Sequence, residues 1–94
     1  MNQKQRTALI TGAGQGMGLG VAQYLASRGI QVIINDIDQN KADAAAAEVT
    51  ASGGSALAAA FDITNTKVAL SRIAELDAKT SGIDILVNNA GNAG

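Results

Sequence analysis

The stretch Thr11-Gly12-Ala13-Gly14-Gln15-Gly16-Met17-Gly18 decides how this chain reads. It follows a short apolar run, Thr7-Ala8-Leu9-Ile10, and leads into a helical pattern from Met17 through Arg28. Glycines here let the backbone turn tightly and let a phosphate approach peptide N–H groups at a helix N-terminus. The spacing is G-x-x-x-G-x-G, from Gly12 through Gly16 to Gly18. It is not G-x-G-x-x-G, because Met17, Leu19 and Val21 stand where the last glycine would fall. No Gly-Lys-Ser/Thr follows, which excludes a Walker loop. A turn tightened for its own sake would look the same, so the surrounding segments carry the argument.

Three further apolar runs have strand length: Gln31-Val32-Ile33-Ile34-Asn35, Ser55 to Phe61, and Ile83-Asp84-Ile85-Leu86-Val87-Asn88. Unbroken apolar runs suit parallel strands buried on both faces. The third, with Ala56-Leu57-Ala58-Ala59-Ala60, is rich in a helix former and reads as a strand from its place in the alternation. Between the runs, Leu19, Ala22, Leu25 and Ala26 form one helical stripe closed by Gly29. Asp38 or Asn40 can cap a second helix running to about Ala51, with Ala45 and Val49 toward a sheet. Thr64 or Asn65 can cap a third, with Val68, Ile73 and Leu76 as its apolar face and Gly82 after it. The order β-α-β-α-β-α-β predicts βαβ units on a parallel sheet, an α/β fold.

Composition narrows the chemistry. In 94 residues, 7 Lys+Arg against 8 Asp+Glu give a net charge of -1, which offers no footprint for nucleic acid or an anionic membrane. The absence of His and Cys removes imidazole catalysis, thiol nucleophiles, disulfides and the usual zinc ligands, so no metal site is expected. No apolar stretch approaches the ~18 residues of a membrane span. A soluble, cytoplasmic chain is expected. Tyr24 and Phe61 are its only aromatic residues, so the core must come from Ile, Val, Leu and Ala, a thin provision for a free-standing domain.

Asp36 ends the second strand, where a carboxylate can accept hydrogen bonds from adenosine ribose hydroxyls. It would repel a 2′-phosphate, which predicts NAD as cofactor in preference to NADP. Asp36 could instead cap a helix or sit in a solvated turn. Asp38 is better placed for the cap and would leave Asp36 free for a ribose.

With these residues in view, the chain resembles the short-chain dehydrogenase/reductase family over essentially its whole length. Thr11-Gly12-x-x-x-Gly16-x-Gly18 resembles the family's cofactor loop, and Asn88-Asn89-Ala90-Gly91 resembles its second hallmark, after the fourth strand. Asp62-Ile63 resembles the pair that contacts the adenine ring. The resemblance implies a Rossmann-like doubly wound parallel sheet of order 3-2-1-4, incomplete here, with two helices on one face and the third on the other. It implies cofactor contacts at Gly12, Gln15, Gly16, Met17, Gly18, Asp36, Asp62, Ile63, Asn89, Ala90 and Gly91. Asp62 reads equally as a cap for the following helix. Asn88 reads as a structural hydrogen-bonding residue, while Ala90 and Gly91 give the cofactor room.

The implied activity is hydride transfer between nicotinamide and a carbonyl or alcohol carbon. The family's acid/base is a Tyr whose pKa is lowered by a Lys four residues on, helped by a Ser and an Asn. All four normally lie beyond position 94, so no catalytic residue is assigned here. Tyr24 with Arg28 copies only the spacing, and Arg cannot act as the tuned amine. Residues 1–94 are therefore expected to be the N-terminal, cofactor-binding part of one domain, cut before its catalytic segment. Alone it is expected to be inactive; the full-length form is expected to be a homo-oligomer. Substrates from 3-oxoacyl groups to sugars and steroids stay open. The alternatives are a non-catalytic nucleotide-binding or regulatory module that associates through its open edge, and an S-adenosylmethionine-binding domain. Asn88-Asn89-Ala90-Gly91 speaks against the last.

Overall fold

A computed structural model describes residues 5–89. Strands β1 (Thr7–Ile10), β2 (Gln31–Asp36), β3 (Ala56–Ala60) and β4 (Ile85–Val87) alternate with helices α1 (Gly16–Ser27), α2 (Gln39–Ala51) and α3 (Thr66–Lys79). All neighbouring strands are parallel, in the order β3-β2-β1-β4. Jumping from β3 across the sheet to β4 reverses the direction of winding beside β1. That reversal leaves a crevice outside the carboxyl ends of the strands.

The apolar runs form the centre of the sheet because both faces are covered. Val32, Ile33 and Ile34 are fully buried, each side chain worth about 1.5–3 kcal/mol of transfer free energy. Alternation along the strands divides them between two cores. Ala8, Ile10, Val32 and Ile34 pack with Ala22 of α1 and with Ala45 and Val49 of α2. Leu9, Ile33 and Ala59 face the other way and meet Ala69 and Leu76 of α3. The expected division of helices, two on one face and one on the other, is what forms.

The alanine-rich third run is a strand. Its pairing with β2 runs from Val32↔Ala56 through Asp36↔Ala60, and that continuous ladder outweighs the helical preference of alanine. Helix α1 ends at Arg28, and Gly29 follows at φ 85. Gly29 N–H reaches Ala26 O at 3.0 Å and Ile30 N–H reaches Leu25 O at 3.2 Å, the paired closure that a left-handed residue permits. At α2, Asp38 is the cap and accepts from the N–H groups of Asn40 and Lys41. Asn65 caps α3 through Val68 N–H. The apolar face expected for α3 needs one correction. Val68 is 42 % exposed, and the inward stripe is Ala69, Ile73 and Leu76, spaced by four and three residues.

Candidate functional site

At the carboxyl edge a cleft of about 350 Å³ opens between the strand ends. Gly12 and Gln15 reach it from the loop after β1, and Asn35, Asp36 and Ile37 from the end of β2. Residues 61–64 line it after β3, and Asn89 lines it after β4. Of the residues singled out in the sequence, Gly12, Gln15, Asp36, Asp62, Ile63 and Asn89 are thus brought together. Gly16, Met17 and Gly18 begin α1 at the same edge without lining the cleft, and Met17 is largely exposed. Ala90 and Gly91 lie outside the described residues.

Three hydrogen-bonded fastenings hold the loops that form this cleft. After β1, Thr11 N–H donates to Val87 O at 3.0 Å, and the Thr11 hydroxyl accepts from Asn89 N–H at 2.9 Å. The Asn89 amide then donates to Gly12 O at 3.1 Å, so β4 grips the glycine loop. Asn88 joins through its Oδ1, 3.3 Å from the Thr11 hydroxyl. In the middle, Ala13 N–H donates to Asn35 O at 2.7 Å. The buried Asn35 amide donates to Ala59 O at 3.1 Å and to Phe61 O at 3.0 Å, which prolongs the β2–β3 contact past the ladder. Asn35 was not singled out in the sequence. Its one signal there is an amide ending a wholly apolar run.

The third fastening is Asp36. Gly14 N–H donates to its Oδ2 at 3.1 Å, and Asp38 N–H donates to its Oδ1 at 3.0 Å. Asp38 does take the cap, as expected, but Asp36 is not left free: it ties the glycine loop to the start of α2. Gly14 is required for that approach, since a Cβ there would lie 2.6 Å from Asp36 Oδ2. Each carboxylate oxygen retains acceptor capacity beyond its one backbone bond.

The first turn of α1 has the opposite character. Its N-cap position, Gln15, is extended and makes no side-chain cap hydrogen bond. The opening N–H groups of a helix have no partner within it, and the dipole adds positive potential. Gly16 enters the helix at φ 61. The cleft therefore pairs a helix terminus suited to anions with carboxylates at Asp36 and Asp62.

Asp62 does not cap α3. Its Oδ1 accepts from the Thr64 hydroxyl at 2.6 Å and from Thr64 N–H at 2.9 Å. The hydroxyl first, then the N–H, holds the carboxyl below the ordinary aspartate range, against a slight opposing effect of burial. A depressed pKa makes its contribution to stability present above the unfolded-state pKa and lost as pH falls through the folded-state value. NMR titration of the Asp62 side chain should show this low midpoint, and Thr64→Val should bring it most of the way back. A midpoint that stays low in the variant would remove the hydroxyl as the main cause.

A second hollow, of about 390 Å³, lies between α1 and α2 toward the amino edge of the sheet, lined by Gln23, Ser27, Ser52 and Gly54 among others. Its serines are already committed, Ser27 to Tyr24 O and Ser52 to Glu48 O. Among the described residues no group of three or more Asp or Glu side chains could hold a metal ion. No described helix is long and apolar enough to cross a membrane.

Comparison with known proteins agrees with this geometry. The family model for short chain dehydrogenase matches residues 6–94. The chain is 43% identical over 90 residues to galactitol 2-dehydrogenase of Agrobacterium fabrum, covering 96% of this chain and 34% of that protein. Among solved structures, hydroxysteroid dehydrogenase from Escherichia coli superposes with a TM-score of 0.89 at 36% identity, over 97% of this chain and 39% of that one. A metagenomic short-chain oxidoreductase in complex with NADP superposes with a TM-score of 0.87 at 34% identity, over 92% of this chain and 39% of that one. The chain spans about a third of the length of the curated relatives it matches. With its parallel β3-β2-β1-β4 sheet, its glycine loop and a family match over nearly every residue, the chain belongs to the short-chain dehydrogenase family.

Proposed function

We propose that the chain is the nucleotide-binding part of an NAD-dependent oxidoreductase acting on a carbonyl or alcohol carbon. The observation that carries the reading is the cleft itself, where the glycine loop, Asp36, Asp62-Ile63 and Asn89 meet at the carboxyl edge. A dinucleotide fits this donor set. The uncapped start of α1 supplies N–H groups for the diphosphate, so Gly16, Met17 and Gly18 would hold it by main-chain hydrogen bonds. Gly12 and Gln15 would flank it. Asp36 would accept from the adenosine ribose hydroxyls, and Asp62 with Ile63 would border the adenine. Asn89 would keep the loop against the cofactor, and Ala90 with Gly91 would leave it room.

When bound, the nicotinamide supplies the hydride acceptor or donor. The residues of this chain bind and orient it. Tyr24, at the acid/base spacing from Arg28, stands 62 % exposed on the outer side of α1 and does not line the cleft. The proton-transfer group therefore belongs to residues other than these, and the 94-residue chain alone should turn over no carbonyl substrate. A cytoplasmic, homo-oligomeric whole protein goes with this reading on the strength of the family resemblance.

The test is a fluorescence titration, in which the absence of Trp leaves bound NADH as the reporter. Saturable enhancement is expected with NADH, at lower concentration than with NADPH. A chain with a folded far-UV spectrum that binds neither would overturn the reading.

A further inference from the structure

The first turn of α2 carries a cation whose position the family motifs do not explain. A Cβ built on Gly14 would lie 2.6 Å from Asp36 Oδ2 and 2.8 Å from Lys41 Cβ. One point therefore touches both side chains, and the stem of Lys41 rises directly beside the Asp36 carboxylate. Its backbone N–H is fixed by Asp38 Oδ1 at 3.2 Å, so the root of the side chain is held while its end lies in solvent. Among the described residues the ion pair is Arg72–Glu75, and Lys41 belongs to none. The nearby acids have backbone or amide partners: Asp36 with Gly14 and Asp38, Asp38 with Asn40 and Lys41, Asp43 with Gln39.

We propose that Lys41 is a specificity-determining residue, whose ammonium sets how far the Asp36 end of the cleft tolerates a phosphate on the adenosine 2′ position. The proposal rests on the reading of the cleft as a dinucleotide site. Asp36 alone would exclude such a group by like-charge repulsion. A lysine has a flexible four-carbon stem and three donors, so one rooted beside Asp36 can swing its charge over the same rim. The start of α2 adds potential of the same sign. Discrimination between the two cofactors then becomes a balance of Asp36 against Lys41 rather than a veto by Asp36.

The experiment measures the affinities of the 94-residue chain and its Lys41→Gln and Lys41→Arg variants for NADH, NADPH, adenosine 5′-monophosphate and adenosine 2′,5′-bisphosphate, at low and high salt. Lys41→Gln should lower the ratio of 2′-phosphorylated to unphosphorylated affinity about five- to tenfold for both pairs of ligands, as expected for one charge-assisted contact at an exposed site. Lys41→Arg should restore the ratio, and added salt should shrink the effect. A ratio unchanged in Lys41→Gln, or an equal loss for every ligand, would overturn the role of Lys41 while leaving the dinucleotide reading intact. A parent chain that binds none of the four would overturn both. Lys41 is exposed and caps nothing with its side chain, so far-UV spectra of the variants should match the parent.

Discussion

Gly18→Ala should destabilise the chain by about 1–3 kcal/mol and weaken NADH binding at least about tenfold, whereas Gly20→Ala, one helical half-turn on, should stabilise it by about 0.5–1 kcal/mol. Both glycines lie in α1, and helix propensity alone would favour alanine at each. Their surroundings decide the sign. A Cβ at Gly18 would stand 2.6 Å from Gly12 O, 2.8 Å from Asn89 Nδ2 and 2.9 Å from Ala13 Cα. Two of those atoms are main chain of the glycine loop and cannot rotate away. The third is the amide that grips Gly12 O, so the added methyl also breaks that fastening. A Cβ at Gly20 meets nothing within 4 Å. It would remove backbone freedom from the unfolded chain at no steric cost. Urea unfolding of the three proteins reads the sign directly, and NADH titration reads the loop. Equal midpoints for Gly18→Ala and parent would show that the loop yields, and the close-packing account of Gly18 would fail.

These contrasts mark what was legible in the sequence. The alternation of elements was, because hydrophobic runs and glycine stops are local features of fixed period. The position of the cleft was too, since polar residues ended each apolar run at what became one edge. What escaped were side chains whose partners lie far along the chain. Asn35 looks like any strand-ending amide until β3 arrives, 24 residues on, with Ala59 O. Asn89 finds Gly12 O across 77 positions, and no spacing rule encodes that. The inward stripe of α3 was misjudged by one residue for the same reason. Val68 is the larger apolar side chain, but the sheet's position, absent from any window of sequence, selects Ala69.

Asp36 shows the two kinds of information in one residue, and its substitution has the largest expected effect on cofactor choice. Asp36→Arg should lower NADH affinity about 100-fold and reverse the preference toward NADPH. Two ribose hydroxyls donating to a carboxylate contribute about 1.5–3 kcal/mol each before desolvation, so losing both exceeds two decades of affinity even after partial compensation by water. Guanidinium would in turn favour a 2′-phosphate through paired N–H donors. The structure adds a cost that strand position alone does not reveal. Asp36 also accepts from Gly14 N–H and Asp38 N–H, and arginine offers no acceptor to either. A loss of about 1–3 kcal/mol in unfolding free energy should therefore accompany the switch. Asp36→Asn separates the two roles: one carbonyl oxygen can keep one backbone bond, the charge is gone, and NADH preference should fall without reversing. If Asp36→Arg kept full stability, the carboxylate would not be fastening the glycine loop to α2. If it kept NADH preference, the ribose contact would be lost from the argument, and the fold would still stand on its sheet.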